Sequence, residues 1–308
     1  MPSRRRFLSG LALASASLAF ARPSLSLAAA PAGSNALQTR PIPSSGQRLP
    51  VIGMGSSGSF EVGAGAAERD PLKEVLRRFF AGGATVIDTA PGYGSAEGVI
   101  GDLVAELQLR PRTFLATKIG ATGREAGLAQ FQRSLQLLRT DKVELLQVHS
   151  LQDWRTQFAL IEELKAQGKT RYTGLTHFVD GGHDELAEVV RAVKPDFLQV
   201  NYSVVSRNAE RTVFPVAQEL GVAVLINRAF EDGKLFSQVQ GKALPAWAAE
   251  AGITSWSQAF LKFALSHPAV TAVIPATGRP DRQSDQLLAG HGPDLSEQQR
   301  QSLIALFA

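Results

Sequence analysis

The feature that most constrains this chain is an alternation of short apolar runs with amphipathic segments, repeated eight times through most of its length. The runs lie at 52–55, 84–88, 113–118, 143–148, 170–176, 197–202, 222–227 and 270–275. Helical spacing falls between them at 71–80, 97–107, 128–138, 154–166, 184–193, 209–220 and 255–266, and again after the last run at 279–288. Strands that alternate with helices pair in parallel through right-handed crossovers. Eight such units in one chain of this size predict an α/β fold, a closed eight-stranded parallel (β/α)8 TIM barrel rather than an open sheet. Two short segments flanking Ser44-Ser45-Gly46-Gln47 read as a β-hairpin ahead of the barrel, and 295–307 as an additional C-terminal helix.

In a parallel barrel the C-terminal strand ends surround one mouth, so residues there can converge even when far apart in sequence. Asp88, Lys118 and His149 each close or directly follow an apolar run, and Tyr93 follows Asp88 in the loop Thr89-Ala90-Pro91-Gly92. Taken singly, each has a plain structural reading: a turn-forming Asp, a rim aromatic, a solvated strand terminus, a satisfied histidine. Together they make a proton-delivery set. A free phenol has a pKa of about 10 and is a reluctant donor near neutrality. An ammonium beside it favours the phenolate form, and a carboxylate would hold that ammonium by a charge-assisted hydrogen bond. A histidine at the same mouth can donate to a substrate oxygen.

The motifs Asp-Thr-Ala-Pro-x-Tyr-Gly (88–94) and Leu-Leu-Gln-Val-His-Ser (145–150) resemble those of the aldo-keto reductases, whose catalytic tetrad has this order and these strand-end positions. The resemblance covers essentially all of 40–308 and implies a tetrad of Tyr93, Lys118, Asp88 and His149. It implies that the hairpin plugs the barrel bottom and that a nicotinamide cofactor, NADP(H) with NAD(H) as the alternative, lies across the mouth. No Gly-x-Gly-x-x-Gly stands between a strand and a helix, so a Rossmann domain is not expected. By the same resemblance Thr176, His177 and Gln199 would contact the nicotinamide carboxamide, with His177 departing from the family's Asn. Asn227 stands where an aromatic ring normally stacks, a role that passes to a neighbour such as Phe230. Arg228 is a candidate for the pyrophosphate and Arg282 for a ribose 2′-phosphate, which a planar guanidinium recognises well. Asp285 and Gln286 match the pair that contacts adenine, and Ala276 departs from the Lys of some members.

The N-terminus Ser3-Arg4-Arg5-Arg6-Phe7-Leu8 resembles a twin-arginine export motif, followed by an apolar stretch too short and too diluted for a membrane span. Residues 1–30 are expected to be a signal peptide, with small-residue cleavage patterns at Ala19-Phe20-Ala21 and Ala28-Ala29-Ala30, and 31–39 a linker. The expected partners are therefore the twin-arginine machinery and a small carbonyl or alcohol substrate, and the expected location periplasmic or otherwise exported. Arg4, Arg5, Arg6 and Arg22 account for all of the formal charge of +4, so the remainder gives no electrostatic case for nucleic acid. The five histidines show no metal-ligand spacing, and the chain has no cysteine, so no metal is expected.

The expected function is NADP(H)-dependent interconversion of an aldehyde or ketone with its alcohol, Tyr93 acting as general acid or base. Export raises the question of how a nucleotide is recycled, which one retained and alternately reduced and reoxidised would answer. The alternative is an exported nucleotide-binding, redox-responsive module without significant turnover. A Schiff-base role for Lys118 is a third reading.

Overall fold

The computed structural model describes residues 36–307. The expected signal peptide and most of the linker lie outside the described residues. A hairpin comes first, β1 (Thr39–Pro41) and β2 (Arg48–Pro50), paired antiparallel. Its turn closes at Gly46, whose φ of 72° suits a residue without Cβ.

Eight parallel strands follow: β3 (Met54–Gly55), β4 (Val86–Asp88), β5 (Phe114–Ile119), β6 (Val143–Val148), β7 (Thr170–Thr176), β8 (Phe197–Asn201), β9 (Ala223–Asn227) and β10 (Ala272–Val273). Each pairs with its sequence neighbour, and parallel bridges Ile52–Val273 and Gly55–Ala276 join the first strand to the last. The sheet is a closed (β/α)8 barrel. The crossover helices are α1 (Ala66–Ala81), α2 (Ala96–Glu106), α3 (Arg124–Leu137), α4 (Trp154–Ala166), α5 (His183–Val193) and α6 (Val213–Leu220). Short α7 (Lys234–Gln238) precedes α8 (Trp256–Leu265), then α9 (Pro280–Leu288) and the terminal α10 (Glu297–Ala305).

Three helix starts depart from expectation by four or five residues: the third begins at Arg124, not Leu128, and the first and sixth depart for local reasons. The first helix begins at Ala66, not Pro71, because the carbonyl that Pro71 leaves unpaired, on Ala67, belongs to an exposed residue. The sixth begins at Val213 after a separate turn at Asn208–Glu210, where the Thr212 hydroxyl donates to the Asn208 carbonyl at 3.0 Å and competes with helix continuation. Elsewhere the expected and observed segments overlap closely.

The interior is filled in layers. Val86, Phe114, Tyr172, Phe197 and Ala223 point inward with their neighbours, and Ile42 and Leu49 of the hairpin belong to the same buried cluster. The Tyr172 hydroxyl lies 2.8 Å from Ser45 Oγ and donates to Gln47 Oε1 at 2.9 Å, which fastens the hairpin beneath the strands. A second, larger cluster lies between strands and helices. There α2 and α3 approach so closely that a Cβ on Gly101 would sit 2.0 Å from the Leu137 carbonyl oxygen.

Candidate active site

Side chains alternate along a strand, so a residue two places beyond an interior apolar one also points inward. Asp88 follows Val86, Lys118 follows Ala116, Gln147 follows Leu145, Gln199 follows Phe197 and Asn227 follows Leu225. The barrel's apolar filling is thus capped, toward the C-terminal strand ends, by a polar layer.

Lys118 and Asp88 are its centre, both almost completely buried. Lys118 Nζ donates to Asp88 Oδ2 at 2.6 Å and to the Thr89 carbonyl at 2.9 Å. The ammonium also lies 4.9 Å from the centre of the Tyr93 ring. Burial works against the lysine's charge, but Asp88, and Tyr93 after it, hold its pKa above the ordinary value. The amine stays protonated and lacks the free lone pair that a Schiff base needs. The other carboxylate oxygen, Asp88 Oδ1, accepts from Gln147 Nε2 at 3.1 Å and Gln199 Nε2 at 2.8 Å. Three side chains from three other strands are therefore fixed around one carboxylate.

His149 meets the Tyr93 ring edge-on, centroids 5.9 Å apart. Burial, and next the nearby Lys118 charge, push its pKa down to about 4. The imidazole is neutral at pH 7, with one N–H to donate. Its turn is unusual: Ser150, Leu151 and Asp153 all have positive φ, a conformation that costs a side-chain-bearing residue. Thr176 holds that turn, accepting from Ser150 N–H at 3.0 Å and donating to the Val148 carbonyl at 3.2 Å.

Tyr93, Lys118, Asp88 and His149 thus meet at one mouth, as a set able to protonate a carbonyl oxygen. Residues 51–306 match the aldo/keto reductase family. This chain belongs to that family. It is 30% identical over 240 residues to a methylglyoxal reductase of Escherichia coli, YeaE, covering 74% of this chain and 81% of that protein. It is 25% identical over 224 residues to an NADH-specific methylglyoxal reductase of the same organism, covering 62% and 68%. Among solved structures, an aldo-keto reductase from Klebsiella pneumoniae in complex with NADPH superposes with a TM-score of 0.73 at 25% identity, covering 88% of this chain and 95% of that one.

The half of the mouth where this family member would hold its cofactor is built differently. The His177 ring does not face the polar layer: it lies against Gly182, where a Cβ would come within 2.1 Å of it, and stacks on Phe178. Its backbone carbonyl instead accepts from Asn227 Nδ2 at 3.1 Å. Phe230 packs on Phe236, ring centres 5.1 Å apart. Arg228 pairs with Asp232 and donates to the Phe178 carbonyl at 3.0 Å, so its guanidinium is already engaged. Arg282 is exposed and makes no ion pair among the described residues. Asp285 accepts from Ser255 Oγ at 2.7 Å and Gln258 Nε2 at 2.6 Å, which ties α9 to α8 and commits its carboxylate to that contact. Gln286 is buried with Oε1 unpartnered.

Two buried polar residues carry little signal in the sequence. Gln147 lies two residues before His149, a spacing that implies the same face of the strand, and Gly174 opposite makes room for it. Gln283 is fully buried on α9 with neither amide atom partnered, yet in sequence it is one more polar residue of an amphipathic helix. Trp247 donates from its indole nitrogen to Ser302 Oγ at 3.1 Å, which anchors the C-terminal helix.

Proposed function

We propose that the chain interconverts an aldehyde or ketone and its alcohol with NADP(H), Tyr93 serving as general acid in reduction and general base in oxidation. The carrying observation is the buried Lys118 ammonium, clamped between the Asp88 carboxylate and the Tyr93 ring beside a neutral His149. The residues present suit a nicotinamide nucleotide: among the described residues, one buried amide oxygen each of Asn227 and Gln286 has no hydrogen-bond partner, and the exposed Arg282 guanidinium makes no ion pair. The nicotinamide, when bound, supplies the hydride that no side chain can.

The remaining work belongs to the chain. His149 donates its N–H to the carbonyl oxygen and orients it toward Tyr93. The Tyr93 hydroxyl gives that oxygen its proton as negative charge develops there, and the Lys118 ammonium stabilises the phenolate left behind. Lys118 acts by its field, since Asp88 keeps it charged throughout. Gln147 and Gln199 hold Asp88 in place. Asn227 and Gln286 would hold the nucleotide, and Arg282 would take a 2′-phosphate; Gln199, expected at the carboxamide, is engaged by Asp88 and Asn227.

The E. coli methylglyoxal reductases make a small 2-oxoaldehyde the first substrate to try. Tyr93→Phe is the test. It should lower turnover of methylglyoxal by roughly a hundred- to ten-thousandfold while nucleotide affinity stays unchanged. Retained turnover would remove Tyr93 from the proton step.

Ser3-Arg4-Arg5-Arg6-Phe7-Leu8 supports the further proposal that the protein is exported with its nucleotide already bound. Replacing Arg4, Arg5 and Arg6 together by Lys should leave the protein in the cytoplasmic fraction. A nucleotide retained through turnover predicts ping-pong kinetics with two carbonyl or alcohol substrates.

A further inference from the structure

We infer that Asn227 Oδ1 is the acceptor for the nicotinamide carboxamide N–H2, at the free end of an oriented chain of amides that begins at Asp88. The inference rests on the nicotinamide reading above and deepens it.

The orientation of each amide is fixed by its neighbours. Asp88 Oδ1 is a carboxylate oxygen, so the Gln199 atom 2.8 Å away must be the donor Nε2. Gln199 Oε1 therefore faces the other way, and it lies 3.5 Å from Asn227 Nδ2. The His177 backbone carbonyl, 3.1 Å from the same Nδ2, fixes the Asn227 amide independently. A flipped Asn227 would set oxygen against oxygen at that carbonyl. Every N–H2 in the chain thus points toward the Asp88 end, and what is left at the far end is an oxygen. Among the described residues Asn227 Oδ1 is buried and has no hydrogen-bond partner, so a ligand donor reaches it only as the atoms that cover it shift aside.

A buried acceptor without a donor carries a desolvation penalty, which a ligand donor would remove. Asn227 points inward at the last residue of β9, two places beyond Leu225 of the barrel interior. It therefore belongs to the same polar layer as Asp88 and Lys118. A primary carboxamide offers the N–H2 that this oxygen lacks. His177 does not compete for it, because its ring is turned onto Gly182. Filling this end of the chain would place the nucleotide and the carboxylate that holds Lys118 on one run of hydrogen bonds. Asn227 would then recognise the ring by its edge, whereas an aromatic at this position would recognise it by its face.

The test compares NADP+ with its 3-acetylpyridine analogue, in which a methyl group replaces the carboxamide N–H2, by calorimetric titration of the folded protein. The wild type should bind NADP+ about five- to tenfold more tightly, the scale of one neutral hydrogen bond. Asn227→Leu, which has similar volume and no acceptor, should lose most of that preference by weakening NADP+ alone. Should the leucine variant fail to fold, Asn227→Ser gives the same reading, since its shorter side chain withdraws the acceptor. A variant that keeps the wild-type preference overturns the assignment, as does a wild type indifferent between the two nucleotides. Folded wild type that binds neither nucleotide removes the nicotinamide reading itself.

Discussion

The two halves of the barrel mouth differ in how complete they are. On the side of β4, β5 and β6, Lys118, Asp88 and Gln147 are buried and hydrogen-bonded to one another, and Gln199 reaches across from β8 to join them. On the side of β9, β10 and α9, Asn227 and Gln286 carry unpartnered buried oxygens and Arg282 is exposed. The first half is organised without any ligand. Among the described residues the second half keeps those two buried amide oxygens without a partner, whereas in the first the one such atom beside the Lys118–Asp88 pair is the Thr89 hydroxyl. The contrast fits a division of labour: a proton-delivery group must be in place before its substrate arrives, whereas nucleotide contacts can be completed by the nucleotide.

The largest effect should come from breaking the finished half. Lys118→Met leaves the Asp88 carboxylate buried with two amide donors and no cation, which should cost about 3–5 kcal/mol in urea denaturation. Adding Asp88→Asn should recover much of that stability without restoring turnover. An unchanged midpoint for the single variant would mean that the pair is not the keystone of this half.

Acid should act on the same half. The His149 pKa is about 4 in the folded protein against about 6.5 in the unfolded chain, so the unfolded state binds the extra proton across that interval. The folded state is therefore favoured above pH 6.5, and up to about 3 kcal/mol is lost as the pH falls toward 4. His149→Gln should flatten this part of the stability profile. An equally steep acid loss in the variant would assign the effect elsewhere.

Smaller effects belong to the open half. Arg282→Ala should weaken NADPH about tenfold, a loss the size of one charge-assisted contact. NADH binding and thermal stability should hardly change, because the side chain is exposed and makes no ion pair among the described residues. Equal loss for both nucleotides would place Arg282 away from the 2′-phosphate. Arg228→Ala should cost least, within about 1 kcal/mol of stability, since its pair with Asp232 is solvent-exposed. A larger drop in nucleotide affinity than in stability would revive a pyrophosphate role for it.

The four catalytic candidates and the eight-strand alternation were legible in the sequence because both depend on local order. Apolar periodicity marks a strand, and a polar residue at its C-terminal end falls at the mouth of any parallel barrel. The cofactor half was less legible. Thr176 was expected at the nicotinamide, and the structure gives its hydroxyl to the turn that carries His149. Asp285 was expected at adenine, and its carboxylate ties two helices together. For both, the sequence gives a position along an element but not the neighbour opposite.

What the sequence determined by itself is therefore the eight-strand barrel and, through the resemblance of its motifs, four candidates for one mouth. Tertiary structure alone decided that Gln147 and Gln199 converge on Asp88, that the His177 ring turns onto Gly182, and that the Asn227 oxygen is left without a partner. The reason is physical. A two-residue period fixes the face of a strand to which a side chain belongs, whereas its partners across a closed barrel depend on strand stagger and on the space neighbouring residues leave.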